Sequence, residues 1–305
     1  MRPAGRRTNR IGPFSVGSRR VVIRTNSAEF ATAAAAVFAD LRSPPAAADE
    51  TPVEFRVDHH RLPALRWAVH RDGVPCELHL REDAVLLHLQ WELNRMLIEE
   101  HPTALHAATV QLAGRGLLIA GRSHAGKTTL AACLARRPGF TYVADEVSVV
   151  GGDGQIIPYP RPLGVRPDGP LAPHLPAPDE LTRRFLPSER LVPAGALGCS
   201  IGGATPVALI VVPARAVDSP LRFEPLSQAE ALFHLASLAP GVARRGSEVF
   251  TTLGHLVRGA SAVRLHYSEA GDTLDVLTST VLELVASVPT DSGSAAELDG
   301  ADDAG

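Results

Sequence analysis

The chain has 305 residues, 45% of them apolar, with 30 Lys and Arg against 33 Asp and Glu for a formal net charge of −3. That length buries one large core or two modest ones, and near-balanced charge with 5% aromatic residues argues against a broad nucleic-acid surface. No apolar run is long enough to span a bilayer, so neither membrane nor nucleic acid is an expected partner. Arg2, Arg6, Arg7 and Arg10 precede no apolar signal core; a disordered basic start on a cytoplasmic protein is expected rather than a twin-arginine export signal. Cys76, Cys133 and Cys199 are far apart and lack zinc-site or disulfide spacing, which predicts reduced core thiols.

In chain order, Pro and Gly punctuation gives way to a strand at Val21-Val22-Ile23 and an Ala-rich helix from Ser27 to Leu41, with Ser27 able to cap it. SPPAAADETP, residues 43–52, is a loop by composition. VEFRV (53–57), LRWAV (65–69) and CELHL (76–80) alternate as short strands, with an Asp72-Gly73 turn, and predict a small β-rich meander. Helical spacing of apolar residues from Asp83 to Glu100 predicts a long helix.

After Pro102 strands and helices alternate: LHAATVQL, a turn at Gly114, GLLIA, a helix from about Lys127, then TYVA and VSVVG. Residues 158–194 carry too many prolines for regular elements and read as one long structured loop. A buried strand (207–213), a helix (227–238), a strand (261–267) and a closing helix (273–288) follow, before a tail rich in Ser, Gly, Ala and Asp that is expected to be disordered. The domains expected are a small amino-terminal α+β unit over 1–100, an α/β domain over 101–288, and the tail at 289–305.

Gly121-Arg122-Ser123-His124-Ala125-Gly126-Lys127-Thr128 fits the phosphate-binding pattern G-x-x-x-x-G-K-[ST] in full, and Thr129 continues it into the helix. Such a loop turns its backbone N–H groups inward and places the positive end of the next helix against a di- or triphosphate. Lys127 would reach the β- and γ-phosphates, and the Thr128 hydroxyl a magnesium ion, so ATP and Mg2+ are the expected cofactors. Strand before and helix after are the context the pattern requires; otherwise it is a glycine-containing turn. Asp145-Glu146 follows the apolar TYVA, and two acids at a strand end can divide magnesium binding from acceptance of a hydroxyl proton. Alone, they would read as a solvated turn. His106, on the preceding strand, would alone read as a core histidine.

The succession LHAATV, GRGLLIAGRSHAGKTTLAACLARR, FTYVADEVSVV and PYPRPLGV resembles the catalytic domain of HPr kinase/phosphorylase, and more closely the HPr-kinase-related proteins found beside bacterial biosynthetic gene clusters. The likeness covers residues 101 to about 166 well and the remainder only in element order. It implies a P-loop kinase core of the HPr kinase and phosphoenolpyruvate carboxykinase type. It further implies that Asp145 is the catalytic base toward a serine-type hydroxyl, that Glu146 helps hold magnesium with Thr128, and that His106 stands near the transferring phosphoryl group. His124 stands where the family usually has Gly, and Glu146 where it has Asp. The glycine-rich signature that engages HPr is not recognisable in LVPAGALGCSIGG, which argues against HPr as the partner.

The expected activity is ATP-dependent transfer to a hydroxyl, on a peptide serine or a small metabolite. The alternatives are a nucleotide-binding regulator or assembly factor, and a kinase remnant; self-association stays open. Arg161 and Arg166 read equally as ligand contacts or proline-braced surface residues, and Arg183-Arg184 and Arg244-Arg245 as solvent-facing pairs. His59-His60 lacks metal-ligand spacing.

Overall fold

A computed structural model describes residues 8–42, 51–60, 66–175 and 177–268, together with 276, 278–280 and 283. In the amino-terminal part, β1 (Asn9–Val16), β2 (Arg19–Thr25), α1 (Ala28–Val37), β3 (Val53–His60), β4 (Arg66–Arg71) and β5 (Val74–Leu80) precede α2 (Val85–Glu100). The five strands form one sheet in the order β1-β2-β3-β4-β5. It is not a plain meander, because β2 and β3 run parallel with α1 crossing between them. Ser27 caps α1 as expected, its side chain accepting from the Phe30 N–H at 3.2 Å. Asp72 and Gly73 both have positive φ, as a two-residue hairpin turn requires. Strand β1 corrects the expectation of a disordered start at residues 9 and 10: Pro13 is tolerated because β1 is an edge strand.

The second part contains β6 (Ala104–Leu105), β7 (Ala107–Leu112), β8 (Arg115–Ala120), α3 (Lys127–Ala135), β9 (Phe140–Ala144), β10 (Ser148–Val150) and β11 (Gln155–Ile157). Then come β12 (Leu163–Val165), α4 (Glu180–Phe185), β13 (Arg190–Val192), β14 (Thr205–Arg215), β15 (Arg222–Pro225), α5 (Gln228–Ser237), α6 (Val242–Arg258) and β16 (Ser261–Tyr267). A nine-stranded mixed sheet runs β6-β10-β11-β14-β8-β7-β9, with β16 joined to β14 and β15 to β16. The chain is therefore mixed α/β. Leu117 and Ile119 of β8 pack on the α3 side while Leu118 and Ala120 pack on the α5–α6 side. Burial on both faces is why GLLIA reads as a continuous apolar run.

The proline-rich segment is not wholly irregular: β12 and β13 pair antiparallel and α4 lies between them. Phe185 of α4 is fully buried against Phe30 and Trp67, with ring centroids 5.7 Å from each. The core of the amino-terminal sheet also takes in Val147, Val149, Tyr159, Leu186 and Leu191. The expected helix over 273–288 and tail over 289–305 lie largely or wholly outside the described residues; 276, 278–280 and 283 have helical backbone. No described helix is long and apolar enough to cross a membrane.

Candidate functional site

Strand β14 runs parallel to β8, β16 runs parallel to β14, and β7 lies antiparallel to both β8 and β9. The carboxyl ends of β8, β9, β14 and β16 and the amino end of β7 therefore share one edge, where open α/β sheets bind ligands. That edge collects His106 before β7, the glycine-containing loop 121–126 after β8, Asp145-Glu146 after β9, Arg215 at the end of β14 and Tyr267 at the end of β16.

Residues 121–126 join β8 to α3, and Gly126 caps α3 at φ +90°. A Cβ at Gly126 would collide with Tyr267 Oη, which donates to the Ala125 carbonyl at 3.1 Å. The glycine is thus required both for its backbone angle and for Tyr267 to brace the loop. Gly121 is buried, and a Cβ there would meet Ala125 at 3.2 Å and Pro213 at 3.4 Å. His124 is exposed at φ +66°, a left-handed conformation that strains a side chain with a Cβ.

Lys127 is only 5% exposed, and burial holds its ammonium pKa below the ordinary value against the pull of Glu146 and Asp145. Its Nζ lies 3.0 Å from the Arg122 carbonyl and 2.9 Å from His106 Nε2, and Ser123 Oγ is 3.4 Å from the same ring nitrogen. An ammonium only donates, so Nε2 accepts and the ring proton sits on Nδ1. Nδ1 in turn faces the Glu146 carbonyl at 3.2 Å and its carboxylate at 3.3 Å. Glu146 has φ +64°, spanned by a 2.7 Å hydrogen bond from the Val147 N–H to the Asp145 carbonyl. This is a γ-turn of the rare, strained kind, which persists only where the surrounding structure holds it.

Asp145 is 1% exposed, and burial raises its carboxyl pKa, with Arg161 opposing the shift and Glu146 adding to it. Thr128 Oγ1 donates to Asp145 Oδ2 at 2.9 Å, while Oδ1 is buried without a hydrogen-bond partner. The sequence reading grouped Thr128 with Glu146; the hydrogen bond instead joins Thr128 to Asp145, and Glu146 turns to His106. An orphaned carboxylate oxygen beside a threonine hydroxyl has a lone pair free either for a magnesium ion, which takes one or two carboxylates with phosphate and water, or for a proton. Among the described residues no group of three or more His, Cys, Asp or Glu side chains gathers as a metal cluster.

No family model matches the chain, and no curated protein does. The structure of the HPr(Ser) kinase/phosphatase from Coxiella burnetii is similar to 60% of this chain and 97% of that one, at 14% identity and a TM-score of 0.30.

A cavity of about 730 Å³ opens over the edge, lined by Ser123, His124, Gly126, Lys127, Thr128, Thr129, Asp145 and Glu146. Arg161 and Arg166 both line it; Arg161 is buried, its Nε donating to the Pro162 carbonyl at 3.1 Å, and Arg166 is exposed. Arg184 stands elsewhere, donating to Glu82 at 2.8 Å and to Glu29 at 2.7 Å, so it ties α4 to the amino-terminal part. Arg244 and Arg245 are exposed on α6, and His59 stacks on Trp67 with centroids 4.6 Å apart. Cys133 and Cys76 are half-buried, Cys199 buried, and all three are free.

Sequence reasoning missed Tyr267, and also Gln90, Trp91 and Asn94, which bring α2 to the cavity. Nothing local marks residue 267 as a neighbour of residue 125. For α2 there was a signal: Leu87, Gln90, Trp91 and Asn94 are spaced as one helix face, and that face mixes polar residues with an aromatic one.

Proposed function

We propose that the chain is an ATP-dependent kinase that transfers a γ-phosphoryl group to a hydroxyl. One observation carries the reading: a phosphate loop, a buried lysine hydrogen-bonded to histidine, and a buried carboxyl with one orphaned oxygen meet at one sheet edge. The loop amides and Lys127 would hold the phosphates. Thr128, whose hydroxyl proton is given to Asp145, keeps its lone pairs for a magnesium ion, with Glu146 as a second ligand. Bound there, magnesium would neutralise charge on the β- and γ-phosphates.

Asp145 Oδ1 would take the acceptor's hydroxyl proton as the acceptor oxygen bonds to phosphorus and the bond to the departing ADP oxygen breaks. A raised carboxyl pKa makes it a better base than an ordinary aspartate. His106 Nε2, already accepting from Lys127, would orient that ammonium toward the transferring group. The remaining contribution is positioning and charge stabilisation.

The test is transfer of label from γ-labelled ATP, with magnesium, to a pool of serine-containing peptides and hydroxylated metabolites. Labelled acceptor supports the kinase. Binding of Mg·ATP with no labelled acceptor supports instead a nucleotide-binding regulator.

A further inference from the structure

We infer that one face of α2 forms the acceptor side of the cavity, with Gln90 and Trp91 as its specificity-determining residues; this rests on the kinase reading. The sheet order separates two flanks of the phosphate loop. Reading along the edge, Tyr267 and Arg215 lie on the β14–β16 side of β8, whereas Asp145 lies on the β7–β9 side. Beyond β9, Tyr159 bridges to Ala144, the residue immediately before Asp145. Tyr159 Oη donates to Asn94 Oδ1 at 3.0 Å and accepts from Gln90 Nε2 at 3.2 Å. The α2 face is thereby fixed to the strand end that carries the base.

Gln90 is 3% exposed and lines the cavity. Its Nε2 also donates to Asn94 Oδ1 at 2.9 Å, so the amide orientation is set by the network and Oε1 is the atom left outside it. That oxygen is buried and has no hydrogen-bond partner. A buried orphan acceptor costs stability unless a ligand donates to it. Next to it in sequence and one turn on from Leu87, Trp91 is 55% exposed even though Arg95 lies 5.4 Å over its ring and His88 packs at 5.8 Å. With half-buried Leu87 it offers an apolar flank.

The ligand this face fits has a reacting hydroxyl for Asp145, a nearby N–H or O–H donor for Gln90 Oε1, and an apolar portion for Trp91 and Leu87. Gln90 thereby selects acceptors that carry a second donor, since an acceptor lacking it leaves the oxygen unpaired.

The experiment compares wild type, Gln90→Met and Trp91→Ala. Mg·ATP affinity is measured by equilibrium dialysis, and acceptor KM and kcat with a serine-peptide pool and a polyol pool. Trp91 is exposed, so its variant keeps the fold even if Gln90→Met, which breaks the Tyr159 network, does not. The expected result is an acceptor KM raised at least tenfold by Trp91→Ala, more in KM than in kcat, with the Mg·ATP Kd within twofold of wild type. Gln90→Met, if folded, raises KM most for acceptors with a second donor. A tenfold loss of Mg·ATP affinity in Trp91→Ala overturns the assignment by placing the face on the nucleotide. An unchanged acceptor KM overturns it as well. No transfer by wild type to either pool overturns the kinase reading and the acceptor face together.

Discussion

Around the loop between β8 and α3, Lys127 and Asp145 are nearly inaccessible, Asp145 Oδ1 has no hydrogen-bond partner, and His124 and Glu146 hold positive φ. Around Phe185 the surroundings are the reverse: Phe185 packs edge to face on Phe30 and on Trp67, which tilt against each other in an apolar core, and the charged Arg184 reaches out to Glu82 and Glu29 at the surface. Buried charge and backbone strain cost stability and persist only where surrounding structure holds them. Their coincidence at one edge, against an aromatic cluster that carries none of them, separates the candidate site from its support. The support reaches the site, because the segment that anchors on Phe30 and Trp67 also supplies Arg161 and Leu191 to the cavity.

The strongest way to break this comparison is Asp145→Asn. Transfer should fall by about 10²- to 10⁴-fold, the usual contribution of a positioned base, with Mg·ATP still bound; abolished magnesium dependence would instead make Asp145 primarily a metal ligand. The pH dependence has a definite sign. A carboxyl whose pKa is raised by burial binds a proton more readily folded than unfolded, so its ionisation on raising the pH costs stability. Asp145→Asn should therefore melt higher than wild type at pH 7 and lose that advantage as the pH falls and Asp145 protonates. Wild-type activity should fail on the acid side at a higher pH than an ordinary aspartate dictates.

Phe185→Ala tests the other region. Removing a fully buried ring should cost about 3–5 kcal/mol, read by chemical denaturation, and weaken acceptor and nucleotide binding alike because the segment that brings Arg161, Val165, Leu171 and Leu191 to the cavity loses its anchor. If stability hardly changes, the aromatic contact is not the support described here. Lys127→Met should weaken Mg·ATP binding by about 10²-fold, from loss of a charge-assisted phosphate contact, without the stability loss of Phe185→Ala. His124→Gly is the mildest: relief of the left-handed backbone, offset by glycine's unfolded-state entropy, should gain about 0.5 kcal/mol with nucleotide affinity near wild type. A stability loss there would mean that the imidazole makes a needed contact.

Elements whose signal is local were legible. The capped α1, the β8–loop–α3 junction and β16 lie at or close to where their residues suggest. Helix α6 was missed although Val249, Leu253, Leu256 and Val257 follow helical spacing, because Gly246, Gly254 and the Ser and Thr residues between lower its intrinsic propensity. Its stability comes from packing on the sheet and α5. The short strands β12 and β13 were obscured by prolines around them, and each exists through pairing with the other.

The sequence by itself determined the strand–loop–helix junction at 121–128 that matches the phosphate-binding pattern, since backbone freedom at two glycines, a lysine and a helix start are local properties. It also placed candidate acids and a histidine within reach along the chain. Only the tertiary structure decided that Thr128 meets Asp145 while Glu146 faces His106, that Tyr267 braces the loop, and that α2 closes one side of the cavity. Those contacts cross 17, 40, 142 and more residues or depend on strand order. They are fixed by how apolar faces stack, which no local pattern encodes.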